Sequence, residues 1–531
     1  MSVRRSIGLE TEFGIVDAMR QENNAIVLSS HAVTHYANGG SAAGRVGGIP
    51  WDYHGEDPLN DARGFRMTRA SAHPSQLTDD PAALAPSGED AGALHSVHRP
   101  SEAERKLPHP ASIVLTNGAR FYVDHAHPEY SAPEVINPRE TVLWDRAGEL
   151  IAQETMDLLA QAGKNYVFYK NNVDGKGAAY GTHENYQVKR DVPFTDIIRY
   201  LTPFFVTRPI ICGAGRVGLG QRSEKPGFQI SQRADYVEND VGIETTFNRP
   251  IINTRDEPHG DAHQFRRFHV IGGDANQFDV SNLLKVGTTS LVLWLVEQGD
   301  VPLALDSLML YDPVRAAWEV SHDPTLRTAI DMHDGSSQTA IAIQQIYLDT
   351  VREALHAAAN IDYDTAEILH VWQEVLDALR TDMFSASDRV EWIAKYSMLE
   401  GIRRRGNLSW DNDKLRAFDL QWHDLRPERS IVHRLDSAGG VKRIFTSEQV
   451  AWAKRNAPES TRAYLRGGVI KAFPHNVAMA GWDGITFDIP GRADLLRMPL
   501  NYPTRATRSL VGEALTQSAS IEEFLAALAT Q

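Results

Sequence analysis

The stretch from Ile113 to Glu134 leaves the chain little choice of local structure. Asn117-Gly118 is a tight-turn pair between the apolar run Ile113-Val114-Leu115 and an alternating run that starts at Arg120, a strong hairpin signal. Strand side chains alternate, so Arg120, Tyr122 and Asp124 share one face while Phe121 and Val123 share the other. Pro128 predicts an extended His127 and the end of the ladder, with Glu129 leaving the strand in a loop close to Asp124. A fully punctuated helix follows: Asn137 as N-cap, Pro138 at the first helical position, Glu140 three residues past the cap, apolar residues through Leu159, and Gly163 as the stop. An ion pair between Arg120 and Asp124 on a wet sheet face is the ordinary reading of such a strand. Glu129 and Glu134 strain that reading, because they add negative charge that a cation or a phosphate-bound metal would have to neutralise.

The same alternation recurs elsewhere. Between Ile7 and Val16, Gly8, Glu10, Glu12 and Gly14 share a face, opposite Ile7, Leu9, Thr11, Phe13 and Ile15. In Tyr180 to Val188, His183 and Asn185 share a face with Gly181; in Phe265 to Ile271, Arg267 and His269 do the same. Gly272-Gly273-Asp274-Ala275-Asn276 then turns into a helix expected to be capped by Asn276 and stopped at Gly299. No Walker lysine or GxGxxG run accompanies that glycine pair, so it is not a phosphate loop. Lys189, Arg190, Arg208, Arg216, Arg222, Lys225 and Arg233 accumulate over a short span where an acidic polypeptide could be held. Helical patterns at 338–359, 363–380 and 388–405 read as scaffold.

At 531 residues the chain can bury a large core. Its 69 acidic and 54 basic residues give a formal charge of −15, so the molecule as a whole repels nucleic acid and anionic membranes. The single Cys212 excludes an internal disulfide and a cysteine zinc cluster and fits a reducing cytoplasm. The start, MSVRRSIGLETEFGIV, does not read as a signal peptide, and no apolar run is long enough for a membrane helix; a cytoplasmic location is expected. From about 39 to 108 the composition turns to Gly, Pro, Ala, Ser, His and Asp, a long loop insertion. Within it, Trp51-Asp52-Tyr53 and Pro58 to Phe65 are too specific for inert linker, whereas 82–105 reads as disordered. From about Asp436 the pattern changes again, with helices near Ser447 and Ser460, a strand from Ile485 to Ile489 and a last helix opened by the capping box Ser520 to Glu523. The expected organisation is a large domain, 1–435, and a small C-terminal domain, 436–531.

Four of these segments together carry a family resemblance: Glu10-Thr11-Glu12-Phe13-Gly14-Ile15, Arg120 to Glu134, Gly181-Thr182-His183-Glu184-Asn185-Tyr186 and Arg266-Arg267-Phe268-His269-Val270. The chain resembles, nearly end to end, the actinobacterial enzymes that modify proteins with Pup, the prokaryotic ubiquitin-like protein. That family comprises a depupylase/deamidase and a Pup ligase and is related to glutamine synthetase. The string Asp124-His125-Ala126-His127-Pro128-Glu129-Tyr130-Ser131 and the insertion with Trp51-Asp52-Tyr53 and Asp61-Ala62-Arg63-Gly64-Phe65 are similar to the depupylase branch.

The resemblance implies an α+β fold: a glutamine-synthetase-like domain whose antiparallel sheet cradles ATP and magnesium, with the small C-terminal domain packed on it. It implies deamidation of Pup's C-terminal glutamine and cleavage of the Pup–lysine isopeptide bond, with ATP required but not consumed one for one. Pup and pupylated proteins are the implied partners, with an indirect link to the bacterial proteasome. Glu10, Tyr122 and Glu129 match the family's metal positions, and His183 and His269 match further metal or phosphate positions. Arg120, Ser131, Ala132 and Asn185 match nucleotide contacts; Trp482 is a nucleotide candidate that also reads as a core tryptophan. Arg233 matches a position tied to Pup binding. Asp124 is the residue expected to do the chemistry, either attacking the carbonyl or taking a proton from water. The alternatives are a Pup ligase acting through a phosphorylated glutamate and a non-catalytic, ATP-bound scaffold.

Overall fold

In the computed structural model, which describes residues 4–20, 24–39, 48–54, 56–70, 72, 94–101, 111–174, 179–218, 225–359 and 361–529, the alternating segments pair into one six-stranded sheet. Its strands are β1 (Ile7–Glu12), β2 (Ser112–Val114), β3 (Arg120–Asp124), β4 (His127–Ser131), β5 (Thr182–Lys189) and β6 (Phe265–Val270), in the order β6-β5-β1-β4-β3-β2 with every neighbour antiparallel. The apolar face, including Ile7, Leu9, Phe121, Tyr130, Tyr186 and Phe268, is buried under helices, which leaves the polar face to the site.

Pro128 does not end the ladder. It lies in β4 opposite Val123, and Glu129 sits in mid-sheet opposite both Tyr122 and Glu12. The proline is tolerated because its backbone faces the β1 side just beyond the last β1–β4 pair, where its carbonyl accepts from the Phe13 amide. The segment Ile7 to Val16 breaks at Phe13: Gly14–Asp17 leaves the large sheet and pairs with Tyr166–Tyr169.

Helix α1 (Ala25–Asn38), which sequence patterning missed, covers the β3–β4 hairpin with Leu28, Ala32, Val33 and Tyr36. Helix α2 (Pro138–Gln161) keeps the expected punctuation, Asn137 accepting from the Glu140 amide and Gly163 taking a positive φ. Helix α3 (Phe194–Thr207) also packs on the core. Helix α4 (Asp279–Val296) is buried on every side and starts at Asp279, not after an Asn276 cap. Asn276 spends its amide on the Cys212 carbonyl and on Glu391, tertiary partners no local pattern reveals. Helices α5 (Ala340–Ala357), α6 (Tyr363–Thr381) and α7 (Glu391–Gly406) form the scaffold expected at those positions. No helix among the described residues is long and apolar enough to cross a membrane.

A second core gathers Leu465, Val469, Ile470, Ile485, Phe487 and Phe524 around helix α8 (Ala463–Ala472) and the strands β7 (Val477–Ala480), β8 (Gly484–Phe487) and β9 (Leu495–Pro499). This unit starts near Ala463 and not at 436, because Val450 and Ala453 of the Ser447–Ala453 helix point into the large core against α2. Two parts of the insertion join it, Ile49 and Trp51 entering the second core and His95–Val97 pairing with β9 as the fourth strand of its sheet, whereas Asn60–Ala62 is bonded to Thr254–Asp256 of the large domain. Of the stretch expected to be disordered, 82–93 and 102–105 lie outside the described residues, as does Arg222.

Candidate active site

Register alone assembles the site. Glu10 is paired with His183 on one side and Ser131 on the other; Glu12 is paired with Glu129, Glu129 with Tyr122, and Asn185 with His269. Because paired strand residues project to the same face, side chains from five strands converge without any loop.

Around Glu10, Asn185 Nδ2 donates to the carboxylate at 2.9 Å and His183 Nδ1 lies 3.1 Å away. Burial pushes this carboxyl up, but the hydrogen bond and charge of His183, then Arg267 and Asn185, outweigh it and hold Glu10 below its ordinary value. His269 stands edge-on to His183, ring centroids 5.0 Å apart, with Nδ1 2.8 Å from Asn185 Oδ1. Burial and the adjacent Arg267 push its imidazole well down, so it is neutral and keeps a lone pair. One ligand atom each of Glu10, His183 and His269 falls within 4.8 Å of the others.

One strand spacing along, oxygens of Glu12, Asp124 and Glu129 form a second group of the same breadth. Tyr122 Oη donates to Glu129 Oε1 at 2.5 Å and Ser131 Oγ donates to the same oxygen at 3.0 Å, while Glu129 Oε2 is buried without a partner. Burial, then the charges of Asp124, Glu10 and Glu12, push the Glu129 carboxyl well above its ordinary range. Burial and Glu129 likewise keep the proton on Tyr122. Asp124 differs. Burial pushes it up, yet the hydrogen bond and charge of His125, 3.0 Å away, together with His183 and Arg120, hold it below the usual carboxylate range. Its side chain is 32 % exposed, against 0–1 % for many neighbouring core groups.

A cavity opens between this sheet and the C-terminal unit, lined by Gly8, Glu10, Ser131, Ala132, Asn185 and Trp482 among others. Four of the five nucleotide candidates are thus in one place; Arg120 stands beside the cavity, stacked on aromatic rings.

Three members of the basic run, Arg190, Arg208 and Arg233, are taken up inside the protein. Arg233 is 3 % exposed and donates to the Tyr180 and Ile271 carbonyls, with burial and Arg249 lowering its guanidinium to about 10. Arg208 is buried against Glu184 at 2.7 Å, and Arg190 pairs with Asp256. Each is consumed by a partner distant in sequence. Glu134 also leaves the acidic group: it is paired with Arg462 and Arg466 of the C-terminal unit. Sequence analysis put forward neither Glu12, which accepts from the Gly181 amide at 2.9 Å, nor Arg267, which donates to Asn185 Oδ1 at 2.7 Å. The signal was present in both cases, as each shares a strand face with a chosen residue.

The model of the Pup-ligase protein family matches residues 5–486. The chain belongs to that family. Within it, a depupylase of Acidothermus cellulolyticus is 45 % identical over 530 residues, 99 % of each chain. A Pup deamidase/depupylase of Mycolicibacterium smegmatis is 43 % identical over 98 % of this chain and 99 % of its own. A Pup–protein ligase of Corynebacterium glutamicum is 37 % identical over 76 % of this chain and 86 % of its own. Among solved structures, the complex of Pup with its ligase PafA superposes with a TM-score of 0.74 at 29 % identity, covering 99 % of this chain and 95 % of that one. PafA in complex with ADP gives 0.69 at 32 % identity, covering 87 % and 99 %. In sequence, this Pup-ligase family chain therefore aligns over its whole length with these depupylases and over about three quarters with the Corynebacterium ligase.

Proposed function

We propose that this protein is an ATP- and magnesium-dependent amidohydrolase that deamidates the C-terminal glutamine of Pup and cleaves the isopeptide bond between Pup and a substrate lysine. The full-length similarity to depupylases supports it. The observation that carries it is Asp124: an ionised, partly open carboxylate held beside a buried acidic group that has an oxygen to spare.

The donor set fits magnesium, a hard cation that takes oxygen ligands. Glu129 Oε2 is buried and unpartnered, Glu10 lies two register positions away on the same face, and Glu129 repels its neighbours unless neutralised. Glu10 and Glu129 would hold the ion, with Tyr122 orienting Glu129 and with His183 and His269 next to Glu10. When bound, magnesium neutralises these carboxylates and polarises phosphate and carbonyl oxygens. Ser131, Ala132, Asn185 and Trp482 line the space offered to the nucleotide, and Arg120 is the phosphate contact.

Asp124 acts as nucleophile. His125, His183 and Arg120 keep this partly open carboxylate ionised, so it is an anion able to attack a carbonyl held beside the acidic group. Its oxygen adds to the amide carbonyl; the adduct expels ammonia from glutamine, or the lysine amine from a conjugate, the nitrogen gaining a proton. Water then hydrolyses the anhydride, restoring Asp124 and leaving glutamate on Pup.

Mass spectrometry of Pup ending in glutamine, and of a Pup–lysine conjugate, tests this with Asp124→Asn alongside. Both substrates should be cleaved by the parent and neither by the variant. In a single turnover in ¹⁸O water, hydrolysis of the anhydride at the aspartyl carbonyl should label Asp124 itself. Label in Asp124 would identify it as the nucleophile, whereas a parent enzyme that forms no acyl intermediate trappable by hydroxylamine would make it a base. Accumulating conjugates with one ADP each would make the protein a ligase.

A further inference from the structure

Arg120 is a buried cation that, among the described residues, makes its hydrogen bonds and ring contacts to neutral groups only, while its charge also reaches Asp124. It is 8 % exposed; its Nε donates to Ser112 Oγ at 3.0 Å, and a terminal nitrogen lies 3.5 Å from the Tyr53 hydroxyl. Its guanidinium carbon stands 4.2 Å from the ring centre of Trp51, 5.6 Å from that of Tyr53 and 3.8 Å from that of Tyr122. Two of these three rings come from the insertion. Trp51 is itself fixed: Nε1 donates to Glu56 at 2.8 Å, its backbone bridges to Ala480, and its ring meets Trp482 edge-on at 5.0 Å.

An aromatic face attracts a cation without cancelling its charge, whereas a carboxylate in the same place would neutralise it and compete with an incoming phosphate. We infer that Trp51 and Tyr53 are positioning residues that hold the Arg120 guanidinium oriented and unpaired for the phosphates of the nucleotide. Affinity for phosphate then depends on the insertion being docked on the C-terminal sheet. This rests on the reading of Arg120 as a phosphate contact.

The test measures binding of ATP and of adenosine, which lacks phosphate, to the full chain and to Arg120→Ala, Trp51→Leu, Trp51→Phe and Tyr53→Leu. Trp51→Leu should weaken ATP about tenfold, the scale of a desolvated cation–π contact, and leave adenosine within about twofold. Trp51→Phe should restore most of the loss, and Trp51→Leu should add little to Arg120→Ala. Should Trp51→Leu fail to fold, Tyr53→Leu, at a half-buried ring, carries the same comparison. If Arg120→Ala weakens ATP while the ring variants do not, the rings do not position it and the inference is wrong. Equal losses for ATP and adenosine would mean that Trp51 acts through Trp482 on the pocket wall instead. An Arg120→Ala protein that binds ATP normally would remove the phosphate role of Arg120, and the inference with it.

Discussion

Glu134 sits between Arg462 and Arg466, Oε1 accepting from Arg462 Nε at 2.7 Å and Oε2 from Arg466 at 2.5 Å. Burial pushes the carboxyl up, but the two guanidiniums outweigh it and hold it at about 2. Glu134→Gln would leave two buried arginines without their anion, so a loss of roughly 3–5 kcal/mol is expected in urea unfolding at neutral pH. The pH dependence has a fixed sign. The folded value lies below the ordinary 4.5 of the unfolded chain, so the contribution is complete above 4.5 and drains away as pH falls toward 2. The gap between parent and variant should therefore narrow between pH 4.5 and pH 3; a constant gap would show that the ion pairs are not its source. Glu134 also shows what sequence reading loses. Its membership of an acidic cluster was inferred from proximity along the chain, while its partners lie more than 320 residues away.

The active-site hairpin is backed by helix α8. A Cβ on Gly467 would meet the Thr116 carbonyl oxygen at 2.3 Å and the Gly118 amide at 3.1 Å, and Arg466 Nε donates to the Gly118 carbonyl at 2.9 Å. Alanine there gains about 1 kcal/mol of helix propensity but forces two backbones apart. Gly467→Ala should thus be net destabilising by about 1–3 kcal/mol, the usual cost of overpacking, and should weaken ATP by shifting Trp482 and the hairpin together. Calorimetric melts and nucleotide titration measure both; a stabilised variant would mean that α8 does not bear on the turn. Strand faces were legible because their period of two is local: Glu10 with Glu12, Arg120 with Tyr122 and Asp124, and Arg267 with His269 each follow from counting. Pro128 was misread because whether a missing amide matters depends on which neighbour it faces, and β1 is more than 110 residues upstream. Asn276 has the composition of a cap and the contacts of a core residue.

Seen across the molecule, the cavity lies where the two cores meet: Glu10, Asn185 and Arg267 belong to the large sheet, whereas Arg462, Trp482 and Pro503 belong to the C-terminal unit. The expected boundary at 436 fell short because the second core recruits Ile49, Trp51 and the His95–Val97 strand from the insertion, and composition does not show which core a loop will join. A ligand touching both units stabilises their contact and not just its own pocket. Bound at a hundred times its dissociation constant, ATP should raise global stability by about 2.7 kcal/mol. Its local effect should be uneven: amide exchange should slow most in α8 and β7–β9, whose docking includes the contacts of Arg466 with Glu134 and with the 116–118 turn, and least in α5 and α6, which lie within the large core. Exchange measured with and without ATP and magnesium reads this directly. Protection confined to the large sheet would place the nucleotide away from Trp482, and protection spread evenly would mean that the two units already unfold as one.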